Sequence, residues 1–532
     1  MAELDVSVIV PVYNTMPYLT RTLDSLLAQT IGHDRMQVIA VDDGSTDGSG
    51  EELDRYAAAH PDVFVVVHQP NSGGPATPCN RGLELATGRY VFFLGADDYL
   101  GDEALERLVG KADAWGSDVI FGRMVGVGGR NVYQGVFERT EQDLDLLESE
   151  LAFSLSNTKL FRRALIEERD LHFSRDLRVG SDQPFTIDAV THASRVSVLA
   201  DYTYYYAVKR HDETNISYST RWRQRVADIG AVMDHVAALV DPGPERDAFL
   251  RRHFAWELTK VLNREFPAAP ASEQAEVVEA VGALADRYLT DGVAARLGFS
   301  SRLAQRLARA RDVDNLRALV AVEEPVKAAP LSLTGDRVYA ALPGFRDGTG
   351  HPDEWYDVTD RSIRKRVKTE VEVRRPRLDG HTLRVSGTVP FTPDSADNLR
   401  LSLVRLEEKV VPEARRRELG TIEPGADFPV TLTDRGPGRS TALAGEVDLR
   451  VLLDDEAPEG TRWAVRLRAD AGPWTYDVPV SYKRGPLTAE TSRGRRRASF
   501  TARRAKRGYL FVEREILPPE VARRALRRAL NR

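Results

Sequence analysis

A chain of 532 residues has room for about three domains. Its 42% hydrophobic and 29% charged residues are an ordinary globular balance, and its longest apolar runs, such as residues 63–67, are far too short to span a bilayer. The single cysteine, Cys79, excludes an internal disulfide and a multi-cysteine metal site, and the acidic opening Met1-Ala2-Glu3-Leu4-Asp5 gives no expectation of a secretory leader, which points to the cytoplasm.

In chain order, residues 6–10, 37–41, 63–67 and 90–94 are continuous β-branched and aromatic runs, with helical patterns at 18–29, 50–59 and 76–86 between them. Leu19, Leu23, Leu26 and Leu27 share one face of the first helix. Such runs predict parallel strands buried on both faces, with a ligand beyond their C-terminal ends. Residues 111–215 continue this domain, with the apolar Val119-Ile120-Phe121 and an aromatic run at 202–206, and its end is set at 218. From 219 to 330 the pattern turns helical: Val226, Ile229, Met233, Val236 and Val240 fit one face, and 254–262 and 277–284 look similar. We read this as a connector packed on the first domain.

From 331 to 485, alternating segments at 369–374, 382–387, 399–404, 445–451, 463–468 and 474–480 are parted by turn residues such as Asp379-Gly380 and Pro473. That spacing predicts an antiparallel β-sandwich. Nothing in it has catalytic spacing, so support, oligomerisation or polymer contact is its expected role. Residues 486–532 are read as a basic tail with a strand at 509–512 and a helix near 519–530. From Lys483 to Arg532 there are sixteen Lys and Arg against four Asp and Glu, about +12, leaving about −18 on the rest. This charge is a footprint for anionic lipid, nucleic acid or a polyanionic polymer, or else a solvated surface.

Six stretches of the first half carry the chemistry: Val8-Ile9-Val10-Pro11-Val12-Tyr13-Asn14, Val41-Asp42-Asp43-Gly44-Ser45-Thr46-Asp47, Asn71-Ser72-Gly73-Gly74-Pro75, Phe92-Phe93-Leu94-Gly95-Ala96-Asp97-Asp98, Lys159-Leu160-Phe161 and Gly180-Ser181-Asp182-Gln183. Four of them end an apolar run with polar or acidic residues, in the order that a nucleotide-sugar site needs. The diphosphate of such a donor must leave, and its charge is well met by a hard divalent cation, Mn²⁺ or Mg²⁺, held by carboxylates. Asp97 and Asp98, just past a strand, are the candidates, against the alternative of acids at a helix N-terminus. Asp42 can accept the imide N–H of uracil, Tyr13 can stack on the base beside Pro11, and Asn71 can read the base edge; a turn Asp, a packed Tyr and a loop Asn are the plainer readings. A single displacement needs one base for the acceptor hydroxyl, and Asp182 is the candidate, unless it only caps a helix. Arg81, Lys209, Arg210, His211 and Ser217 are the remaining donor-side candidates, able to hold a diphosphate, or else solvated loop residues.

Taken together, residues 5–217 resemble a family 2 inverting glycosyltransferase of the GT-A (Rossmann-like) fold: the opening strand, Asp42-Asp43-Gly44-Ser45, the acid pair after Phe92-Phe93-Leu94, Lys159-Leu160-Phe161-Arg162-Arg163 and the late Asp182. The layout with a helical connector and an immunoglobulin-like β-sandwich is similar to that of bacterial enzymes that attach N-acetylglucosamine to the poly(ribitol phosphate) of wall teichoic acid. The resemblance implies a UDP-sugar donor, Asp42 on uracil, Asp97 on the metal and Asp182 as base. It also implies a homo-oligomer, by resemblance a trimer. The expected acceptor is a glycan or polyanion met at the inner face of the membrane, and the basic tail adds an expected peripheral contact with anionic lipid; nucleic acid is not expected. Three positions depart from the pattern: Gly95 where an Asp is usual, Cys79 where an Arg is usual, and Ser181 where a Glu precedes the base. They leave open a changed donor sugar, a weaker metal requirement or a degenerate enzyme; the rival readings are a transferase for another cell-surface polysaccharide and a non-catalytic glycan- or polyanion-binding protein on a decayed scaffold.

Overall fold

The structure is a computed structural model that describes residues 4–210, 220–359, 371–373, 376–406, 424–434, 441–453, 461–471, 474–480, 485–493, 496–504 and 510–517. The chain divides into two compact units, Met1–Asp314 and Asn315–Arg532. In the first, the expected strands and helices alternate: β1 (Val6–Val12), α1 (Tyr18–Leu27), β2 (Met36–Asp42), α2 (Ser49–Ala59), β3 (Phe64–His68), α3 (Ala76–Leu85) and β4 (Tyr90–Phe93). β1 lies between β2 and β4 and runs parallel to both, with Val8 opposite Val38 and Phe92. After β5 (Tyr99–Leu100), α4 (Ala104–Trp115), β6 (Val119–Val127), β7 (Leu160–Arg162), α5 (Arg163–Glu168), α6 (Asp182–His192) and β8 (Val196–Val208), the sheet order is β3-β2-β1-β4-β7-β6-β8-β5.

Side-chain alternation along β1 builds a core on each face. Val6, Val8, Val10 and Val12 pack with Leu19, Leu23 and Leu26 of α1, while Ile9 packs with Val91, Phe93, Phe161 and Phe185 on the other side. Each such side chain contributes about 1.5–3 kcal/mol on burial, so the centre of the sheet is rigid. The parallel strands all end at one edge, and the loops at that edge inherit this rigidity.

The connector follows as α7 (Trp222–Leu239), α8 (Pro244–Arg252), α9 (Ala271–Tyr288), α10 (Asp291–Arg296), α11 (Phe299–Arg309) and α12 (Val313–Val320), the last running into the second unit. The helix expected at 254–262 is instead a π turn, His253–Glu257, and a short 3-10 turn, Leu258–Lys260. Phe254, Leu258, Val261 and Leu262 are buried there, which is the periodicity that the sequence shows; His253 and Glu257 are buried with them. A helical period does not distinguish an α-turn from a wider one that turns polar groups inward.

The second unit is an antiparallel β architecture. Its main run of strands, in hydrogen-bonded order, is Glu372–Val373, Thr382–Val389, Thr441–Asp448, Pro424–Thr433, Arg400–Leu406, Arg462–Ala471, Leu510–Leu517, Arg496–Arg504 and Leu487–Arg493, with Arg377–Asp379 paired to Thr382–Val389 and Trp474–Pro479 to Arg462–Ala471. A hairpin of Leu331–Thr334 with Arg337–Ala340 precedes them. The boundary drawn at 485 needs correction. Leu487–Arg493, Arg496–Arg504 and Leu510–Leu517 are strands of the sheet, since Leu510–Leu517 pairs with both Arg462–Ala471 and Arg496–Arg504, and the latter with Leu487–Arg493. Phe500 and Val512 are fully buried, so alternating Arg hid a two-faced strand pattern behind its charge. The helix expected near 519–530 lies outside the described residues.

Candidate functional site

Asp42 closes β2, and its side chain is almost fully buried. Oδ1 accepts the Ser45 N–H at 3.0 Å and Oδ2 faces His68 Nδ1 at 2.9 Å. Burial raises this carboxyl, but the hydrogen bonds from Ser45 and His68 outweigh it and hold it below its ordinary value. His68 is in turn raised by Asp42 and by Asp54, whose Oδ1 lies 3.0 Å from Nε2. An ionised acceptor therefore sits at the end of the parallel strands, as a reader of a base N–H requires. Asp43 fixes the loop beyond: it accepts the Ser72 N–H at 3.0 Å and the Gln69 amide at 2.6 Å. Asn71 rides on this loop with its Oδ1 on the Gly73 N–H. Gly44 has φ +77°, and a Cβ there would meet the Asn71 nitrogen at 2.8 Å, so the two loops touch only because residue 44 is glycine.

Pro11 is partly buried at the end of β1, and Tyr13 beyond it is 47% exposed, leaving a ring face free to stack. Asn14 adopts φ +48°, taking the Thr46 N–H on its Oδ1 while its own N–H reaches the Ser45 hydroxyl. Its carbonyl accepts from Arg210 Nη1 at 3.3 Å, and Arg210 Nε donates to Asp97 Oδ2 at 2.6 Å. Arg210 thus joins the first strand's loop to the acid pair. The Lys209 N–H is tied to the Val127 carbonyl, and His211 and Ser217 lie outside the described residues. Arg81 pairs with Glu84 on the exposed side of α3.

The acid pair divides. Asp98 Oδ2 accepts from the Tyr205 hydroxyl at 2.6 Å and Oδ1 from the Val208 N–H at 2.7 Å. Burial, and then the Asp97 charge beside it, push the Asp98 carboxyl well above the usual carboxylate range. Asp97 is the acid that meets a cation, Arg210. A Cβ on residue 95 would lie 2.8 Å from Asp98 Oδ2 and 3.3 Å from both Asp97 Oδ1 and the Tyr205 hydroxyl, so the space beside Gly95 is already taken by the acid pair and Tyr205. Among the described residues no three His, Cys, Asp or Glu side chains converge on one point. The donor set fits a hard cation that takes one carboxylate from the protein and its other oxygens from a diphosphate.

Asp182 begins α6, after Gly180 at φ +75°. Burial raises its carboxyl, with Arg252 and Lys159 opposing and Glu257 adding to the rise. Lys159 is fully buried, its Nζ on the Ser156 carbonyl at 3.0 Å and 4.4 Å over the Phe121 ring, and burial lowers it to about 7. Cys79 is buried on α3, and burial together with the Asp182 charge raises its thiol. The structure therefore gathers Pro11, Tyr13, Asp42, Asn71, Asp97 and Arg210 about the ends of the parallel strands and the adjoining loops, with Asp182 heading its own helix. It adds His68, Asp43, Tyr205, Arg252 and Glu257. His68 directly follows an apolar run, the position that singled out Asp42; Arg252 and Glu257 carry no motif.

A Rossmann-like sheet with acids past its strands is the plan of a nucleotide-sugar transferase, and the comparisons agree. The family model for glycosyl transferase family 2 matches residues 7–170, and that of the glycosyl transferase TarS linker domain matches 223–320. The chain belongs to glycosyltransferase family 2. It is 30% identical over 402 residues to the poly(ribitol-phosphate) beta-glucosyltransferase of Bacillus spizizenii, covering 73% of this chain and 60% of that protein. It is 34% identical over 321 residues to the poly(ribitol-phosphate) beta-N-acetylglucosaminyltransferase TarS of Staphylococcus aureus, covering 59% of this chain and 54% of that one. The chain thus spans little more than half the length of these curated relatives. Residues 1–349 of S. aureus TarS, solved with UDP-GlcNAc, match with a TM-score of 0.57 and 30% identity over 66% of this chain and 98% of that one. The longer S. aureus TarS structure shares the fold over 97% of this chain and 86% of its own, at a TM-score of 0.58 and 24% identity. No helix among the described residues is long and apolar enough to cross a membrane.

Proposed function

We propose that this chain is an inverting transferase that moves a sugar from a UDP-sugar to a hydroxyl of a cell-envelope polymer such as poly(ribitol phosphate). The observation that carries it is the ionised Asp42, the Asp97–Arg210 pair and the recessed Asp182 on one family 2 scaffold. Asp42 takes the uracil N–H and Tyr13 the base face. Arg210, with Lys209 beside it, meets the diphosphate. Asp97 would hold a divalent cation, which supplies Lewis-acid stabilisation of the leaving diphosphate; Asp98 shapes the loop from within. Asp182 accepts the proton of the acceptor hydroxyl as its oxygen bonds to the anomeric carbon, and the electron pair of the breaking C–O bond leaves with UDP. UDP-N-acetylglucosamine is the first donor to test, and UDP-glucose the second, since the relatives named above use both sugars in their names. The second unit, with its basic strands, serves assembly and contact with the polymer or with anionic lipid at the inner membrane face.

The test is transfer from each donor to poly(ribitol phosphate), with and without Mn²⁺, by the natural chain and by Asp182→Asn. Loss of a general base costs about 10²–10⁴ in rate, while the amide leaves UDP affinity nearly unchanged. Turnover by Asp182→Asn at the natural rate would remove the mechanism; UDP binding without turnover in the natural chain would favour a binding protein.

A further inference from the structure

The chain on either side of Asp182, at Val179 and at Gln183, is held by the connector. Gln183 Oε1 receives Arg252 Nη1 at 3.1 Å and lies 3.1 Å from His253 Nε2. The Val179 N–H donates to Asp228 Oδ2 at 3.0 Å, and Gln224 of the same helix, α7, braces the other oxygen of Asp228. Arg252 ends α8, and its Nη1 is 3.0 Å from Glu257 Oε1 in the π turn; Glu257 Oε2 meets Lys260 Nζ at 2.9 Å. Both partners of the Arg252–Glu257 pair are nearly buried, with 12% and 6% of their side chains exposed. Arg252 makes no hydrogen bond to Asp182, and its Nε is buried with no hydrogen-bond partner.

We propose that Glu257 is a positioning residue for the reaction: it holds Arg252 on Gln183 and keeps that guanidinium from pairing with Asp182, so that the base stays free to take a proton. This rests on the assignment of Asp182 as base. Four groups from four elements act electrostatically with the Asp182 carboxyl: Cys79 of α3, Lys159 before β7, Arg252 of α8 and Glu257 of the π turn. Lys159 is committed to Ser154 and Ser156, and Cys79 is a neutral thiol. Arg252 is the cation with a spare donor, and Glu257 is its counter-ion. With Glu257 neutralised, Arg252 is left with an uncompensated charge in a nearly dry site, and Asp182 is the nearby carboxyl that can compensate it. A carboxylate paired with Arg is a weaker base. Removing Arg252 does the reverse. The pair therefore predicts opposite shifts from its two halves, which a scaffold role for either would not give.

The experiment is the pH profile of kcat/KM for the full chain with UDP-N-acetylglucosamine and poly(ribitol phosphate), for the natural protein, Glu257→Gln and Arg252→Gln. Glu257→Gln should move the acid limb down by about one pH unit and lower the plateau several-fold. Arg252→Gln should move the limb up. UDP affinity and melting temperature are read alongside, and Glu257→Asp, which keeps the charge, should restore most of the limb position if Glu257→Gln melts early. Acid limbs that coincide with the natural one in both Gln variants, or that move in the same direction, overturn the proposal. A natural protein that does not turn over, or an active Asp182→Asn, instead overturns the assignment of the base on which it rests.

Discussion

At Asp42 two opposed effects meet in one carboxyl: burial favours the acid form, and donors from Ser45 and His68 favour the ionised one and prevail. With Ser45, His68 thus keeps Asp42, the proposed base reader, charged and aimed. His68→Ala should weaken UDP binding about 3- to 10-fold by calorimetry, less than the roughly 1.5–3 kcal/mol of a fully buried hydrogen bond to a charged group, because His68 is nearly half exposed. Unchanged affinity would leave His68 a surface residue. Tyr205 is the corresponding case at the acid pair. Tyr205→Phe removes the hydroxyl from a buried carboxyl and from the Gly95 N–H, at a cost of about 1–3 kcal/mol in urea unfolding. Gly95→Asp should cost more, because its side chain enters the space that Tyr205 and Asp98 already fill. If Gly95→Asp is as stable as the natural protein, the departure at 95 is not a packing matter. Asp42, Asp97 and Asp182 were legible because each stands beyond an apolar run or within a spaced motif. Tyr205 was not, because its partner is 107 residues away and an aromatic run shows only as buried strand.

Among the elements, the connector departs most from its expected part. Its helices were readable from period alone, yet their contribution to the site, Arg252, His253, Asp228 and Glu257, is polar and falls between the apolar positions that periodicity detects. The same blindness put a strand-forming segment into a tail. His253 gives this packing a pH signature. Burial lowers its imidazole from 6.5 to about 4, so the fold holds it neutral. The unfolded chain takes the proton first, so the associated stability is fully present above about pH 6.5 and is lost as pH falls toward and through 4. Between pH 7 and 5 this amounts to about 2 kcal/mol. His253→Gln should flatten that part of the pH dependence of urea unfolding; equal slopes in the two proteins would show that His253 does not titrate with folding.

At the scale of the whole molecule, each unit has its own core, and the groups assigned to the reaction lie within Met1–Asp314. A chain ending near residue 330 should therefore keep UDP affinity and slow, metal-dependent UDP release, checked by calorimetry and a phosphate-coupled assay. Loss of both in a well-folded fragment would mean that the second unit completes the site. The basic end calls for a different kind of variant. Ending the chain at 485 would remove three strands and leave Arg462–Ala471 without its partner Leu510–Leu517, so polymer binding lost on such a truncation says nothing about charge. Replacing Arg523, Arg524, Arg527 and Arg528 with Gln removes about four of the +12 charges and leaves the described strands intact. If charge draws this end to phosphate-rich surfaces, that variant should cosediment less with anionic vesicles or with poly(ribitol phosphate) at about 0.1 M salt, where the Debye length is about 10 Å. The difference should vanish near 1 M, where it is about 3 Å. A variant that binds as the natural chain does across the salt series, but sediments at a different mass, would make this end an assembly element and its charge incidental.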